Sequence, residues 1–163
     1  MVKHTKTKEE MWALGEEWVK GIVPKEGKAT VVALSGDLGA GKTCFTQGVA
    51  RALGVTAHVT SPTFVLMKRY ALTGEREKGK GKRSEDDEPF TFHLSPFTSL
   101  VHIDAYRFSS GKDMTPLRFD ELLADPMNLI MIEWPELVAD ALPDDIIRIK
   151  FSVEGDGRKV EFL

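Results

Sequence analysis

The residues from Gly36 to Thr43, with the sequence GDLGAGKT, combine glycines, a lysine and a hydroxyl at a spacing that suits phosphate binding. They match the pattern G-x-x-x-x-G-K-[ST], in which the glycines let successive backbone N–H groups point at phosphate oxygens. The Lys42 ammonium would reach the β and γ phosphates, and the Thr43 hydroxyl would ligate Mg²⁺. A helix that starts here adds the positive end of its dipole. We therefore predict a nucleoside triphosphate site formed by Gly36, Asp37, Leu38, Gly39, Ala40, Gly41, Lys42, Thr43 and Cys44.

Two acidic residues, Asp104 and Glu133, each follow a run of apolar residues. A phosphate loop needs a second acid for its magnesium, and such acids lie where a neighbouring strand ends. Each acid could instead be an ordinary strand-end residue that meets water. Because two of them accompany a phosphate loop, we predict a metal site formed by Thr43, Asp104 and Glu133. One acid would hold Mg²⁺ through its water shell, and the other would hold metal or polarise the attacking water; the residues leave the assignment open.

Three further features lie between and beside these residues. The segment SPTF places Ser61 and Thr63 in a loop after the nucleotide helix, where magnesium-sensing switch loops occur, although a simple Ser-Pro turn is the alternative. His102 is flanked by apolar residues, which is typical of a core histidine rather than of a catalytic base. Trp134 precedes Pro135 and is expected in an extended or turn conformation, either in the core or covering the site or a partner.

The elements that would position these residues follow from the spacing of apolar side chains. An apolar run that precedes the glycine loop predicts a central strand covered on both faces, and an amphipathic pattern follows the loop. The remaining patterns predict strands that end in Asp104 and Glu133, one short helix between them that starts at Thr115 and Pro116, and a C-terminal antiparallel hairpin. The order favours an α/β sheet, parallel in its centre with antiparallel additions. The predicted ranges are helices at 7–20 and 43–53, strands at 29–35, 99–104 and 128–133, and an extended segment ending at 70.

Composition limits the classes of protein that the chain can represent. Its 163 residues fit one domain, and a net charge of -3 argues against a surface that holds nucleic acid by itself. With Cys44 as the only cysteine, an internal disulfide is excluded and a cysteine-built metal site is unexpected. No apolar run approaches a membrane span, and the first residues do not resemble a secretory signal, so we expect a cytosolic protein. The stretch 75–88 contains five basic and six acidic residues, and we predict a flexible insertion at about 73–97.

Several motifs together resemble the TsaE (also called YjeE) family of bacterial tRNA threonylcarbamoyladenosine biosynthesis. The matching stretches occur in the family's order and are LSGDLGAGKT, TSPTFVL, VHIDAYRF, IEWPE, LPDD and GDGRKV. The resemblance implies a three-layer P-loop NTPase-like α/β domain with a mixed sheet, which binds and slowly hydrolyses ATP with Mg²⁺. It also implies work in a complex with TsaD, which transfers the threonylcarbamoyl group, and with TsaB. Contact with tRNA would come only through that complex, and hydrolysis would support repeated rounds of modification.

The resemblance also assigns roles to individual residues. Lys42 and Thr43 match the family's phosphate and magnesium residues, and Thr63 matches its switch-like threonine. The remaining matches are Asp104 in the H-x-D-x-Y-R motif and Glu133 with Trp134 in the E-W-P motif. The chain departs from the family in places, among them Cys44 and Met11, where the family usually has threonine.

Two other functions remain open from the sequence. One is a small P-loop kinase for a metabolite or a nucleotide, but such kinases usually carry a lid with closely spaced arginines. After Asp104 the nearest candidates are Arg107 and Arg118, which do not form an R-x-x-x-R pattern. The other is a nucleotide-gated subunit with negligible turnover.

Overall fold

The computed structural model of the chain describes residues 1–72 and 95–163. These residues form seven strands, three α-helices and two 3₁₀ helices. The strands are β1 (Val2–Thr5), β2 (Thr30–Gly36), β3 (Met67–Ala71), β4 (Ser99–Asp104), β5 (Asn128–Glu133), β6 (Ile147–Glu154) and β7 (Gly157–Phe162). The helices are α1 (Lys8–Val19), α2 (Lys42–Ala52) and α3 (Phe119–Ala124), and the two 3₁₀ helices are Gly111–Leu117 and Pro135–Ala141.

All seven strands join one mixed sheet in the order β1-β7-β6-β2-β5-β4-β3. The four central strands β6, β2, β5 and β4 are parallel, whereas β3, β7 and β1 pair antiparallel at the outside. Every residue of β4 and β5 is buried, which explains their near-continuous apolar sequences. The sheet confirms the predicted parallel centre and the predicted C-terminal hairpin.

Two hydrophobic clusters cover the two faces of the sheet. On one face, α1 and α2 pack through residues such as Met11 and Phe45 on Leu34 and Met131. On the other face, the 3₁₀ helices and α3 contribute residues such as Met114 and Phe119. The domain therefore has the three layers that the resemblance implied.

Local signals explain where the two longer helices begin and end. Thr7 starts α1 with a capping box, in which its side chain accepts a hydrogen bond from the Glu10 N–H and the Glu10 carboxylate accepts from the Thr7 N–H. Gly41 is the N-cap of α2, which ends at Ala52 shortly before Gly54, whose φ of 78° lies in the left-handed region. Both ends of α2 agree with the prediction.

Three elements differ from the sequence predictions. β1 was not predicted, because its four largely exposed residues become a strand only by pairing with β7. The prediction of a single helix from Thr115 was wrong. A 3₁₀ helix ends at Leu117, Arg118 breaks the helical path with a φ of 53°, and α3 begins at Phe119. The 3₁₀ helix Pro135–Ala141 was also not predicted.

The expected insertion at about 73–97 lies outside the described residues except for its last three positions. Of those, Phe97 is buried in the cluster beneath α1 and α2. Within residues 1–72 and 95–163, no helix has both the length and the apolarity to cross a membrane.

Candidate functional site

The glycine loop lies between the end of β2 and the start of α2, and its backbone requires glycine. Gly36, Gly39 and Gly41 have φ values of 131°, 76° and 105°. A Cβ atom on Gly36 would also collide with the backbone carbonyl of Phe151 on β6. A Cβ atom on Gly41 would come within 2.7 Å of Met11 Cε, so the Met11 side chain of α1 packs directly on the loop. Met11 stands at the position where the family usually has threonine.

Lys42 is only 4% exposed, and its ammonium is held inside the loop. Nζ donates hydrogen bonds to the carbonyl oxygens of Gly36 and Asp37, and it lies 4.0 Å from the centroid of the Trp134 ring. Burial lowers the Lys42 pKa, while nearby carboxylates, including those of Glu133 and Asp104, oppose that shift. The site therefore holds a desolvated cation, which a phosphate would stabilise.

The Glu133 carboxylate connects the loop to the sheet. Its Oε1 atom accepts a hydrogen bond from the Thr43 hydroxyl at 2.8 Å and lies 2.8 Å from His102 Nε2. Glu133 is 3% exposed and His102 is fully buried. A buried carboxylate needs such partners, because an unpaired one would be strongly destabilised.

The Asp104 carboxylate connects the sheet to the SPTF segment. Oδ2 accepts hydrogen bonds from the hydroxyls of Ser61 at 2.8 Å and Thr63 at 2.5 Å, and Oδ1 accepts from the Tyr106 backbone N–H at 3.0 Å. The predicted switch segment thus contacts the predicted metal acid in this structure.

The two acids meet because their strands are parallel neighbours. Asp104 and Glu133 are register partners at the carboxyl ends of β4 and β5, and Leu34 near the end of β2 pairs with Glu133. Ligands of open α/β sheets bind at this edge. Two carboxylates and the Thr43 hydroxyl supply the hard oxygen atoms that Mg²⁺ prefers. Within residues 1–72 and 95–163, no group of three or more His, Cys, Asp or Glu side chains is arranged to hold a metal by itself.

Aromatic and apolar side chains surround the mouth of the site. Trp134 has φ 59° and ψ 48°, an unusual conformation for a residue other than glycine, and its ring lies 5.1 Å from that of Tyr106. The prediction of an extended or turn conformation is thus met by a left-handed turn, which places the indole over Lys42. Leu38 and Phe64 are 81% and 83% exposed, so the rim is open to solvent.

Not every predicted residue turns its side chain toward the acids. The Leu38 side chain faces solvent, and the Cys44 thiol donates a weak hydrogen bond to the Lys8 carbonyl of α1 at 3.6 Å. Arg118, considered as a lid arginine of a kinase, forms an ion pair with Glu121.

Sequence reasoning missed two residues that contact the predicted ones. His102 was interpreted as a core histidine and is fully buried, but its contact with Glu133 was not predicted. The available signal was its place two residues before Asp104, which puts both side chains on one face of β4. Arg158 of β7 donates from Nε to the Gly39 carbonyl at 2.8 Å. Nothing local to the GDGRKV stretch indicates that contact, since the two residues are 119 positions apart.

The fold is that of a P-loop NTPase-like α/β domain. Its defining features are the parallel centre of the sheet, the glycine loop between β2 and α2, and the acids on neighbouring strands. A family model described as "Threonylcarbamoyl adenosine biosynthesis protein TsaE" matches residues 5–160. The chain belongs to the TsaE family, as its motifs predicted. The family takes part in tRNA threonylcarbamoyladenosine biosynthesis.

Individual relatives agree with this assignment. The chain is 39% identical to the TsaE protein of Streptomyces coelicolor, over 74% of this chain and 66% of that protein. It is 33% identical to the TsaE protein of Treponema pallidum, over 86% of this chain and 84% of that protein. The crystal structure of Bacillus subtilis YdiB superposes with a TM-score of 0.66 at 26% identity, covering 99% of this chain and 83% of that chain.

Proposed function

We propose that this protein is the Mg²⁺-dependent ATPase of the tRNA threonylcarbamoyladenosine machinery, slow in isolation and active with TsaD and TsaB. ATP hydrolysis would allow the complex to modify tRNA repeatedly, and tRNA would be contacted only through the complex. The family assignment supports the pathway, and the phosphate loop supports the nucleotide. The compartment expected for this role is the cytosol.

One observation carries the ATPase proposal. The loop residues Lys42 and Thr43 and the acids Asp104 and Glu133 form one cluster at the carboxyl edge of the parallel strands. Phosphoryl-transfer sites need functional groups of these kinds: a cation for the phosphates, a hydroxyl for the metal and carboxylates.

Each side chain has a proposed task in hydrolysis. The loop N–H groups and the Lys42 ammonium bind the β and γ phosphates and stabilise the charge that develops on them. Thr43 with Asp104 would hold Mg²⁺, which when bound neutralises phosphate charge and orients the phosphates. Glu133 orients the attacking water and accepts its proton. Trp134, above Lys42, covers the bound phosphates, and Thr63 responds to the state of the metal site.

The contacts of two arginines count against a kinase. Arg107 lies over the Phe64 ring with 5.0 Å between the guanidinium carbon and the ring centroid, and Arg118 is paired with Glu121. A lid that closes on a second substrate would need such side chains to face the phosphates.

Glu133→Gln is the central test of the ATPase proposal. We expect ATP binding within a few-fold of the wild type, because the phosphate contacts remain. We expect hydrolysis to fall by at least about 100-fold, as the loss of a general base predicts. The matched control is Glu121→Gln, which removes a surface carboxylate outside the site and should leave both quantities unchanged.

Reconstitution tests the pathway role. The chain would be mixed with TsaB, TsaD, ATP, threonylcarbamoyl-adenylate and tRNA, and the modified tRNA counted per complex. We expect the wild type to carry the system past one round and Glu133→Gln to stop it there. Full multiple turnover with Glu133→Gln would instead favour the nucleotide-gated subunit, and phosphorylation of an added metabolite would favour the kinase.

A further inference from the structure

We infer that His102 is a positioning residue for hydrolysis, which fixes the orientation of the Glu133 carboxylate through a hydrogen bond from its Nε2–H group. The inference rests on the proposed function, because it assigns a task to a side chain behind the proposed general base. His102 lies on β4 and does not reach the loop itself.

The contact is short and closed to water. His102 is 0% exposed, and its Nε2 atom lies 2.8 Å from Glu133 Oε1. The Thr43 hydroxyl donates to the same oxygen at 2.8 Å. Glu133 Oε1 is therefore held from two sides, by a strand of the sheet and by the first turn of α2.

The second ring nitrogen decides the tautomer. Nδ1 of His102 is buried and has no hydrogen-bond partner among the described residues. An N–H group at that position would be a buried donor without an acceptor, which is costly. A proton on Nε2 instead meets a carboxylate oxygen, so the ring donates from Nε2 to Glu133 Oε1.

In the described part of the chain, hydrogen-bond donors reach only the Oε1 oxygen of the Glu133 carboxylate. With Oε1 fixed by two donors, Oε2 is the atom left to accept from a water molecule at the phosphates. Glutamate has three side-chain torsions, and a second anchor restricts them before substrate arrives. Loss of His102 should therefore impair the chemical step while the phosphate contacts of Lys42 and the loop N–H groups persist.

A purely structural role for His102 makes a different prediction. A buried histidine that only fills space could be replaced by an apolar residue of similar volume with no effect beyond stability. The two roles separate when turnover, ATP affinity and thermal stability are measured on the same variants.

The kinetic test compares His102→Leu with His102→Gln. Leucine fills the space without a donor, whereas the glutamine amide nitrogen can take the place of Nε2. We expect His102→Leu to lower kcat by about 10-fold or more with ATP Kd within about twofold, and His102→Gln to recover most of the loss. The control Leu100→Ala, a buried change on the same strand away from Glu133, should lower Tm without lowering kcat.

Two kinetic results would overturn the inference. One is a kcat for His102→Leu within twofold of the wild type, and the other is a kcat for His102→Gln as low as that for His102→Leu. If His102→Leu does not fold, His102→Asn replaces it, because that side chain is too short to reach Glu133.

A spectroscopic measurement tests the contact independently of ATPase activity. Nitrogen NMR of the nucleotide-free protein identifies the His102 ring by the signals that are lost in His102→Gln, and those signals should show a proton on Nε2. A ring protonated on Nδ1 instead would overturn the inference even if hydrolysis is normal. If the wild type hydrolyses no ATP with or without TsaB and TsaD, the proposed function fails. The spectrum then still tests whether His102 donates from Nε2 to Glu133.

Discussion

Gly36 shows how single residues shape this site. Its φ of 131° is open only to glycine, and its Cα approaches the Phe151 carbonyl so closely that a Cβ atom has no room. β2 and β6 are parallel neighbours here, with Gly36 and Phe151 as register partners. The first glycine of the loop therefore serves the packing of the sheet as well as the curvature of the loop.

Gly36→Ala should destabilise the protein by about 2–4 kcal/mol, because backbone strain and a collision with backbone add together. Urea unfolding followed by circular dichroism measures the change. Gly27→Ala is the matched control: its φ is 71°, but a Cβ atom there would meet nothing within 4 Å, so only the strain should appear. Equal losses in the two variants would show that the contact with Phe151 is irrelevant.

At the scale of elements, α1 and α2 approach each other through two glycines. A Cβ atom on Gly15 would come within 2.5 Å of the Phe45 carbonyl oxygen, and one on Gly48 would collide with the Trp12 carbonyl. The close contact brings Met11 of α1 onto the loop at Gly41 and lets the Trp12 indole donate to Gln47 at 2.9 Å. α1 thereby supports the helix whose first turn carries Lys42 and Thr43.

Gly48→Ala tests this helix contact. Alanine raises helix propensity by about 1 kcal/mol, so an uncrowded site would become more stable. We expect the opposite here, a net loss of about 1–3 kcal/mol in the free energy of unfolding, because the helices must move apart. Gly21→Ala, just beyond the end of α1, is the control for an uncrowded glycine, since a Cβ atom there would lie an ordinary 3.7 Å from the Trp18 carbonyl oxygen. A gain in stability for Gly48→Ala would disprove the close contact.

At the scale of the whole molecule, distant segments meet at the edges of the sheet. The connection from α1 to β2 carries Lys25 and Lys28, and both pair with Asp145 just before β6, with 3.0 Å and 2.7 Å between Nζ and Oδ2. The two lysines lower the Asp145 pKa to about 2 from an ordinary value of 3.8. A carboxyl group whose pKa is lower in the folded state stabilises the fold above the unfolded value and loses that effect as pH falls.

Asp145→Asn should therefore reduce stability above pH 4, and the difference from the wild type should shrink as pH falls from 3.8 toward 2. The effect should be small and weakened by salt, since the pair is solvent-exposed. Thermal unfolding across that pH range measures it. Asp144→Asn is the control, because Asp144 has no ion pair with a described residue, and an equal pH-dependent difference there would contradict the assignment.

The sequence predicted the elements whose signals are local. The glycine loop, the apolar central strands and the hairpin turn each depend on neighbouring residues. Each lies where it was predicted, with the loop between β2 and α2, while nucleotide binding by the loop stays a prediction. β1 and the break at Arg118 were not predictable in this way, since one needs a partner strand and the other an unusual backbone angle that tertiary packing selects. The left-handed backbone conformation of Trp134, with φ 59°, was not predictable from the sequence for the same reason as the break at Arg118.

The sequence by itself determined the family, the phosphate loop and the two candidate acids, because motif residues and strand-end positions are readable without contacts. Tertiary structure decided which side chains those acids meet. Only parallel pairing of β4 with β5 brings Asp104 beside Glu133, and only the approach of α2 brings Thr43 to the oxygen that His102 also holds. Such contacts join residues 29 to 90 positions apart, and their geometry depends on register and layer packing rather than on any local pattern.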